Sequence, residues 1–230
     1  MKYLRKFETE ADYDAFITSG EATISKSFVS LIDENNTVKY DKAKPFGAYI
    51  QHIDGTLYTI EEWAAGDFAN EQANGVAIID SKASFVIAKE RVESYGGWGK
   101  QNTFVEGVFT SADRDIAKTD YNGESNTPLI AAVSESGAAV KCEGYTFPNG
   151  AKGYLAAYGE WEVAYKYKEE IENAMREITE YIDYPLNKSY HYWTSTQYSY
   201  KDAWLFYWSD ARGVWVGKGE GNMTVPFTKL

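Results

Sequence analysis

The chain contains a single cysteine, Cys142, in 230 residues. One thiol excludes an intramolecular disulfide framework and a multi-cysteine zinc site. Basic residues are also short, 23 Lys and Arg against 34 Asp and Glu, for a formal net charge of −11. Nucleic-acid backbone binding needs clustered Lys and Arg, so it is disfavoured, as is a basic membrane-surface patch. No apolar run approaches the ~20 residues that span a bilayer. The opening MKYLRKFETEADYDAF has basic residues but no apolar stretch behind them, so no secretory signal peptide is expected. What the chain has in quantity is aromatic residues: 19 Tyr, 11 Phe and 7 Trp. That weight points to contact surfaces more than to catalysis.

The length is enough for one or two domains with a true core. Thr9 with Asp12 three residues on approximates a capping box, and Tyr13, Phe16 and Ile17 follow at helical spacing up to Gly20. Phe28 to Ile32 and Thr37 to Tyr40, joined by Glu34-Asn35-Asn36, read as a hairpin. Asp41 to Pro45 reads as a linker, which divides the chain into a small module (1–44) and a main domain (45–230). In the main domain, Gly47 to His52 and Thr56 to Ile60 flank the turn Asp54-Gly55. Val76 to Asp80 and Ser84 to Ala88 form a second pair, and Ser111 to Asn126 reads as helix plus loop. Tyr158 to Glu180 is the strongest helix, with Trp161, Ala164, Tyr165, Ile171, Met175 and Ile178 as its apolar stripe. Four strands follow: Tyr192 to Tyr198, Ala203 to Ser209, Val214 to Lys218 and Met223 to Thr228. Strands, a helix, then an antiparallel meander predict an α+β fold.

No catalytic constellation emerges from the residues. Gly96-Gly97-Trp98-Gly99-Lys100 fails the phosphate-loop pattern, because Gln101 follows the lysine, and reads as a surface turn. His52 and His191 lack a partner at metal-ligand spacing. Ser195 has no nucleophile elbow and reads as a strand hydroxyl. Glu160 and Glu162 are two apart on a helix and do not face each other. Asp120 to Glu124 is oxygen-rich, but its glycine is fourth rather than sixth, unlike a calcium loop. Cys142 has no locatable base and reads as structural.

The period of two places Trp204, Phe206 and Trp208 on one face of a strand and Leu205, Tyr207 and Ser209 on the other. Beyond the turn Asp210 to Gly213, the expected pairing sets Val214 and Val216 on the core side. Leu205, Tyr207 and Trp215 are then left outward, as a binding surface or as a face packed under a loop or another subunit.

Gly153-Tyr154-Leu155, Gly159-Glu160-Trp161, Tyr192-Trp193-Thr194-Ser195-Thr196-Gln197-Tyr198 and Asp202-Ala203-Trp204-Leu205-Phe206, in that order, resemble a C-type lectin-like domain. More closely, the chain resembles the variable proteins of diversity-generating retroelements and related tail-fibre proteins of Bacteroides and their phages. Phe7 to Tyr13 is similar to an N-terminal module of that group. The resemblance implies a long helix beside a small twisted sheet that displays ligand-contacting residues on its last strands. It maps the changing positions to Tyr200, Leu205, Tyr207, Asp210, Arg212, Trp215, Gly217, Gly219, Glu220 and Asn222. The family's closing Val-Arg-Pro-Phe stands here as Thr224-Val225-Pro226-Phe227, without the arginine. Of the paired motifs of calcium-dependent sugar binding, only Trp208-Ser209-Asp210 faintly echoes one.

The expectation is therefore a non-enzymatic receptor-binding protein, a phage or prophage tail adhesin, sited in the virion tail if it is phage-encoded. Its partner would be a bacterial cell-surface protein or glycan, with no nucleic acid, membrane insertion, metal or cofactor. Homo-oligomerisation, as a trimer, follows only by analogy with tail fibres. The rivals are a structural or interaction protein of the same fold, and a formylglycine-generating type of enzyme, against which the single cysteine argues.

Overall fold

Val76-Ala77-Ile78 and Phe85-Val86-Ile87 are apolar at every position, as strands covered on both faces must be. In the computed structural model, which describes residues 30–32, 38–40, 44–66, 68–179, 186–187 and 189–230, they pair antiparallel at the centre of the larger sheet. The chain divides into two units, Met1–Pro45 and Phe46–Leu230. In the first, β1 (Ser30–Ile32) pairs antiparallel with β2 (Val38–Tyr40), the hairpin expected from the sequence. The helix expected at 9–20 and the turn at 34–36 lie outside the described residues.

The second unit is mixed helix and sheet. Its larger sheet has the order β4 (Leu57–Tyr58), β3 (Gly47–His52), β5 (Ala73–Ile79), β6 (Phe85–Ile87), β13 (Pro226–Lys229), β8 (Tyr154–Leu155). The smaller runs β11 (Gly213–Gly217), β10 (Asp202–Tyr207), β9 (His191–Gln197), β12 (Asn222–Thr224), β7 (Glu93–Gly96). The expected antiparallel meander is only half present. β9, β10 and β11 are antiparallel neighbours, but β12 joins the far side of β9, parallel to it through Met223 opposite Tyr192. The chain then crosses at Val225 into the larger sheet, where Phe227 lies between Ile87 and Tyr154.

Among the described residues, six α-helices pack around these sheets. α1 (Ile60–Ala65) starts at a capping box, Thr59 and Glu62 each accepting from the other's backbone N–H. α2 (Arg114–Ala117) is capped by Asp113, and α3 (Gly123–Ala132) and α4 (Ala138–Gly144) complete a middle segment. The long helix expected at Tyr158 to Glu180 is two helices, α5 (Tyr158–Lys166) and α6 (Lys168–Ile178). Tyr167 breaks them, with φ −108° and ψ 26°. Its hydroxyl and the Lys166 ammonium both donate to buried Asp80 at 2.6 Å, which ties the break to the end of β5.

Two apolar cores result. The larger joins Trp161, Trp204, Phe206 and Trp208 with Tyr192 and Phe227. The smaller, on the other side of β9 and β10, joins Trp98, Trp193, Leu205, Ala203 and Ile130. Trp193 belongs to this second core, apart from Trp161, because it alternates with Tyr192 along β9. Burial of Trp98 also corrects the surface-turn reading of Gly96 to Lys100. Gly96 ends β7, and the Trp98 indole donates to Thr194 O at 2.7 Å.

Candidate ligand-binding site

The register between β10 and β11 decides which side chains the last hairpin displays. Trp204 lies opposite Trp215, and Leu205 opposite Val214. Directly opposed residues share a face, so Trp215 belongs on the side of Trp204 and Phe206, and Val214 and Val216 on that of Leu205. This inverts the assignment made from alternation. The strand ends at Tyr207 and Trp208 belongs to the turn, which shifts the pairing by one residue and flips the partner strand.

The consequences differ for each mapped position. Leu205 is 1% exposed, packed in the smaller core, and is withdrawn from any contact surface. Tyr207 is half-buried between the His191 ring, stacked at 3.7 Å, and the Arg212 guanidinium at 4.5 Å. Burial and the nearby Arg212 charge both hold the His191 pKa below its ordinary value. Asp210 accepts from the Arg212 backbone N–H at 3.1 Å within the turn. Arg114 fixes that turn from α2, donating to Ala211 O at 2.6 Å and to the Tyr158 hydroxyl at 3.0 Å. A side chain on Gly213 would collide with that same tyrosine ring. Asn222 is half-buried opposite Gly96 on β7.

Trp215 is the exposed aromatic of the group, at 52%. Its ring stacks on Tyr198 at 4.8 Å, and Tyr198 in turn meets Trp204 edge-on at 5.3 Å. An exposed indole is thus held by two rings that reach into the core. Tyr200, in the β9–β10 turn, is 51% exposed beside the Lys201 ammonium. Beyond Trp215, where β10 begins and β11 ends, a cleft of about 290 Å³ opens. Gln101 and Asn102 line one wall, Lys201 and Asp202 another, and the turn from Gly217 to Glu220 the third. Of the mapped positions, the structure therefore brings Gly217, Gly219 and Glu220 together at one cleft, and sets Tyr207, Asp210 and Arg212 at the opposite end of the hairpin.

Lys218 is the functional-looking residue that sequence reasoning missed. It is fully buried, and its ammonium donates to Thr103 O at 2.7 Å and Gln197 Oε1 at 2.5 Å over the Trp98 ring. Burial lowers its pKa to about 8, against the opposing charge of Asp202. The signal available was its alternation with Val214 and Val216, which puts position 218 on the core side. Other flagged groups are structural. Asp120 is buried, accepting from Thr196, Asn126 and Asn122. Glu160 is buried against the Ala157 N–H and the Tyr154 hydroxyl, and Cys142 is buried on α4. Among the described residues, no group of three or more His, Cys, Asp or Glu could hold a metal, and no helix is long and apolar enough to cross a membrane.

No protein-family model, curated protein or solved structure matches the chain.

Proposed function

We propose that the protein is a non-enzymatic receptor-binding protein with a C-type lectin-like domain, serving as a phage or prophage tail adhesin. Its partner is a bacterial surface molecule. The observation that carries this reading is the exposed Trp215 ring, held flat on Tyr198 at the end of the last hairpin. A large ring already fixed by its neighbours loses little conformational entropy on contact, which suits it to recognition. The cleft beside it and exposed Tyr200 extend the contact area. The motif order from Gly153 to Phe206 and the retroelement-type positions at Gly217, Gly219 and Glu220 support the same assignment.

The test pairs Trp215→Ser with Tyr200→Ser in the full chain. Both positions are half exposed, so the double variant is expected to fold and melt like the parent yet lose attachment to bacterial cells or extracted envelope. Undiminished attachment by the folded double variant would remove these residues from the recognition surface.

A further inference from the structure

We propose that β11 pairs edge to edge with β11 of a second copy of this chain, antiparallel about a two-fold axis at Trp215. β11 closes one side of the smaller sheet, with β10 as its neighbour there. Two bonds flanking that pairing fix which way its main chain points. Tyr207 N–H donates to Arg212 O at 2.9 Å, and Lys218 N–H donates to Lys201 O at 2.9 Å. Hydrogen-bonded pairs alternate along an antiparallel ladder, so Val214 and Val216 turn their peptide groups to β10. Gly213, Trp215 and Gly217 aim theirs at the open edge. Among the described residues, the one bond made to these outward groups is to Gly217 O, from the Glu220 N–H at 2.8 Å.

Open strand edges are normally blunted by brevity, charge, proline or a bulge. Every other edge strand of these two sheets is shorter: β4 and β8 have two residues each, and β7 has four. β11 has five, Gly213-Val214-Trp215-Val216-Gly217, with no charge, no proline and an unbroken register against β10. The order of its residues favours a copy over an unrelated strand, because it reads the same in both directions. About a two-fold axis, Trp215 stands opposite its own counterpart, Val214 opposite Val216, and Gly213 opposite Gly217. Aromatic and β-branched pairs stabilise neighbouring strands, and glycine pairs at both ends let the backbones approach closely. The outward residues then form three hydrogen-bonded pairs, each exchanging two bonds. A net charge of −11 makes copies repel, and at this uncharged strand they meet without opposing carboxylates. Such a contact is isologous and closed, and it keeps both Trp215 rings on one face of a continuous sheet. Pairing therefore doubles the exposed aromatic surface, and it is independent of what that surface recognises.

The experiment is analytical ultracentrifugation of the full chain, with cysteine trapping. Five paired residues bury less than a standard interface, so the dimer is expected to be weak and to populate near about 100 µM. Wild type should sediment there at twice the chain mass and dissociate on dilution. Hydrogen-bonded pairs hold their Cα atoms about 5.5 Å apart, within disulfide reach. Under mild oxidation Trp215→Cys should cross-link to its counterpart at least tenfold faster than Tyr200→Cys, a comparably exposed control. Trp215→Lys sets two ammonium groups against each other on the axis, and Gly217→Pro removes an outward N–H without touching the bonds to β10. Both should dimerise at least tenfold more weakly. If Gly217→Pro does not fold, Trp215→Lys, at a half-exposed position, decides alone. A single-chain mass for wild type at that concentration overturns the proposal. An oligomer that survives Trp215→Lys also overturns it, by placing the contact on another surface. A monomer whose Trp215 and Gly217 amides gain hydrogen-exchange protection only with envelope extract overturns self-pairing and gives the edge to a foreign strand. Attachment to cells by a strictly monomeric wild type overturns the dimer and leaves the adhesin standing.

Discussion

Lys218 Nζ donates to Gln197 Oε1 at 2.5 Å, so a fully buried ammonium is held by a neutral carboxamide together with Thr103 O. Gln197 also accepts from Val105 N at 3.0 Å and donates to Thr110 Oγ1 at 2.8 Å. Lysine and glutamine thereby pin the 103–110 loop, which bears part of the smaller core, to the end of β9.

That arrangement has a definite pH signature. Burial lowers the Lys218 pKa to about 8, while the unfolded chain titrates near 10.5, so the unfolded state holds the proton longer. Stability from this group is fully present above the unfolded pKa and is lost as pH falls through 8. The shift amounts to a cost on the order of 3 kcal/mol at neutral pH. Chemical denaturation at pH 7 and at pH 9.5 should show wild type gaining stability with pH relative to Lys218→Met. A constant difference between the two proteins across that range would show that the lysine is not desolvated.

Glu160 carries the opposite slope at lower pH. Burial raises its pKa to about 7, against the lowering effects of the Ala157 N–H, the Tyr154 hydroxyl and Lys229. The folded state keeps its proton longer than the unfolded one, so its contribution is present below about 4.5 and lost as pH rises through 7. Glu160→Gln preserves an acceptor for Ala157 and cannot ionise. The variant should therefore melt at least as high as wild type at pH 8 and lose that advantage at pH 4.5. The sign of the difference at pH 8 is the decisive reading.

Strands with local turn chemistry were legible in the sequence, and the relation between the last two was not. Asp54-Gly55 and the apolar runs of β5 and β6 announced their pairings. The β10–β11 turn hid its register because Trp208 continues the large-apolar alternation of Trp204 and Phe206 after the strand has ended. Both faces of β10 are buried, Trp204 and Phe206 against one core and Ala203 and Leu205 against the other. A strand buried twice has no polar face to mark its outside, so Leu205 could be mistaken for a contact residue. The break at Tyr167 was hidden similarly, since apolar residues continue from Trp161 through Ile178. Helix α3 begins at Gly123 and contains Pro128, and neither residue advertises a helix. The cleft joins residues 101–102, 201–202 and 217–220, and no local pattern links segments so far apart.

The oxygen-rich stretch around Asp120 is closed to cations by its own hydrogen bonds. Asp120 Oδ2 accepts from Thr196 Oγ1 at 2.7 Å and Asn126 Nδ2 at 3.0 Å, and Oδ1 from the Asn122 backbone N–H at 3.0 Å and its side-chain amide at 3.1 Å. Those four contacts occupy the lone-pair sites a calcium ion would use. Burial raises the carboxyl's pKa, which further disfavours an exchangeable ligand. EDTA or added calcium should leave the melting temperature within a degree of the untreated protein. A shift of several degrees with either would identify an ion site that these bonds do not describe.

Trp215 offers a direct optical reading of the candidate surface. Of the seven tryptophans, Trp63, Trp98, Trp161, Trp193, Trp204 and Trp208 are all buried, and Trp215 alone is exposed. Acrylamide reaches exposed indoles, so one emitting population should quench readily and should vanish in Trp215→Phe. The substitution keeps a ring against Tyr198 and leaves the core untouched, so its effect on stability should stay within about 0.5 kcal/mol, as for other surface changes. A sugar or envelope fragment that covers this ring should protect the same population from acrylamide in wild type. Protection that persists unchanged in Trp215→Phe would have to come from one of the buried indoles, and the contact surface would then lie away from the last hairpin. If quenching in the free protein is already negligible, Trp215 is covered in solution, and a second copy of the chain on this face becomes the explanation to test by sedimentation.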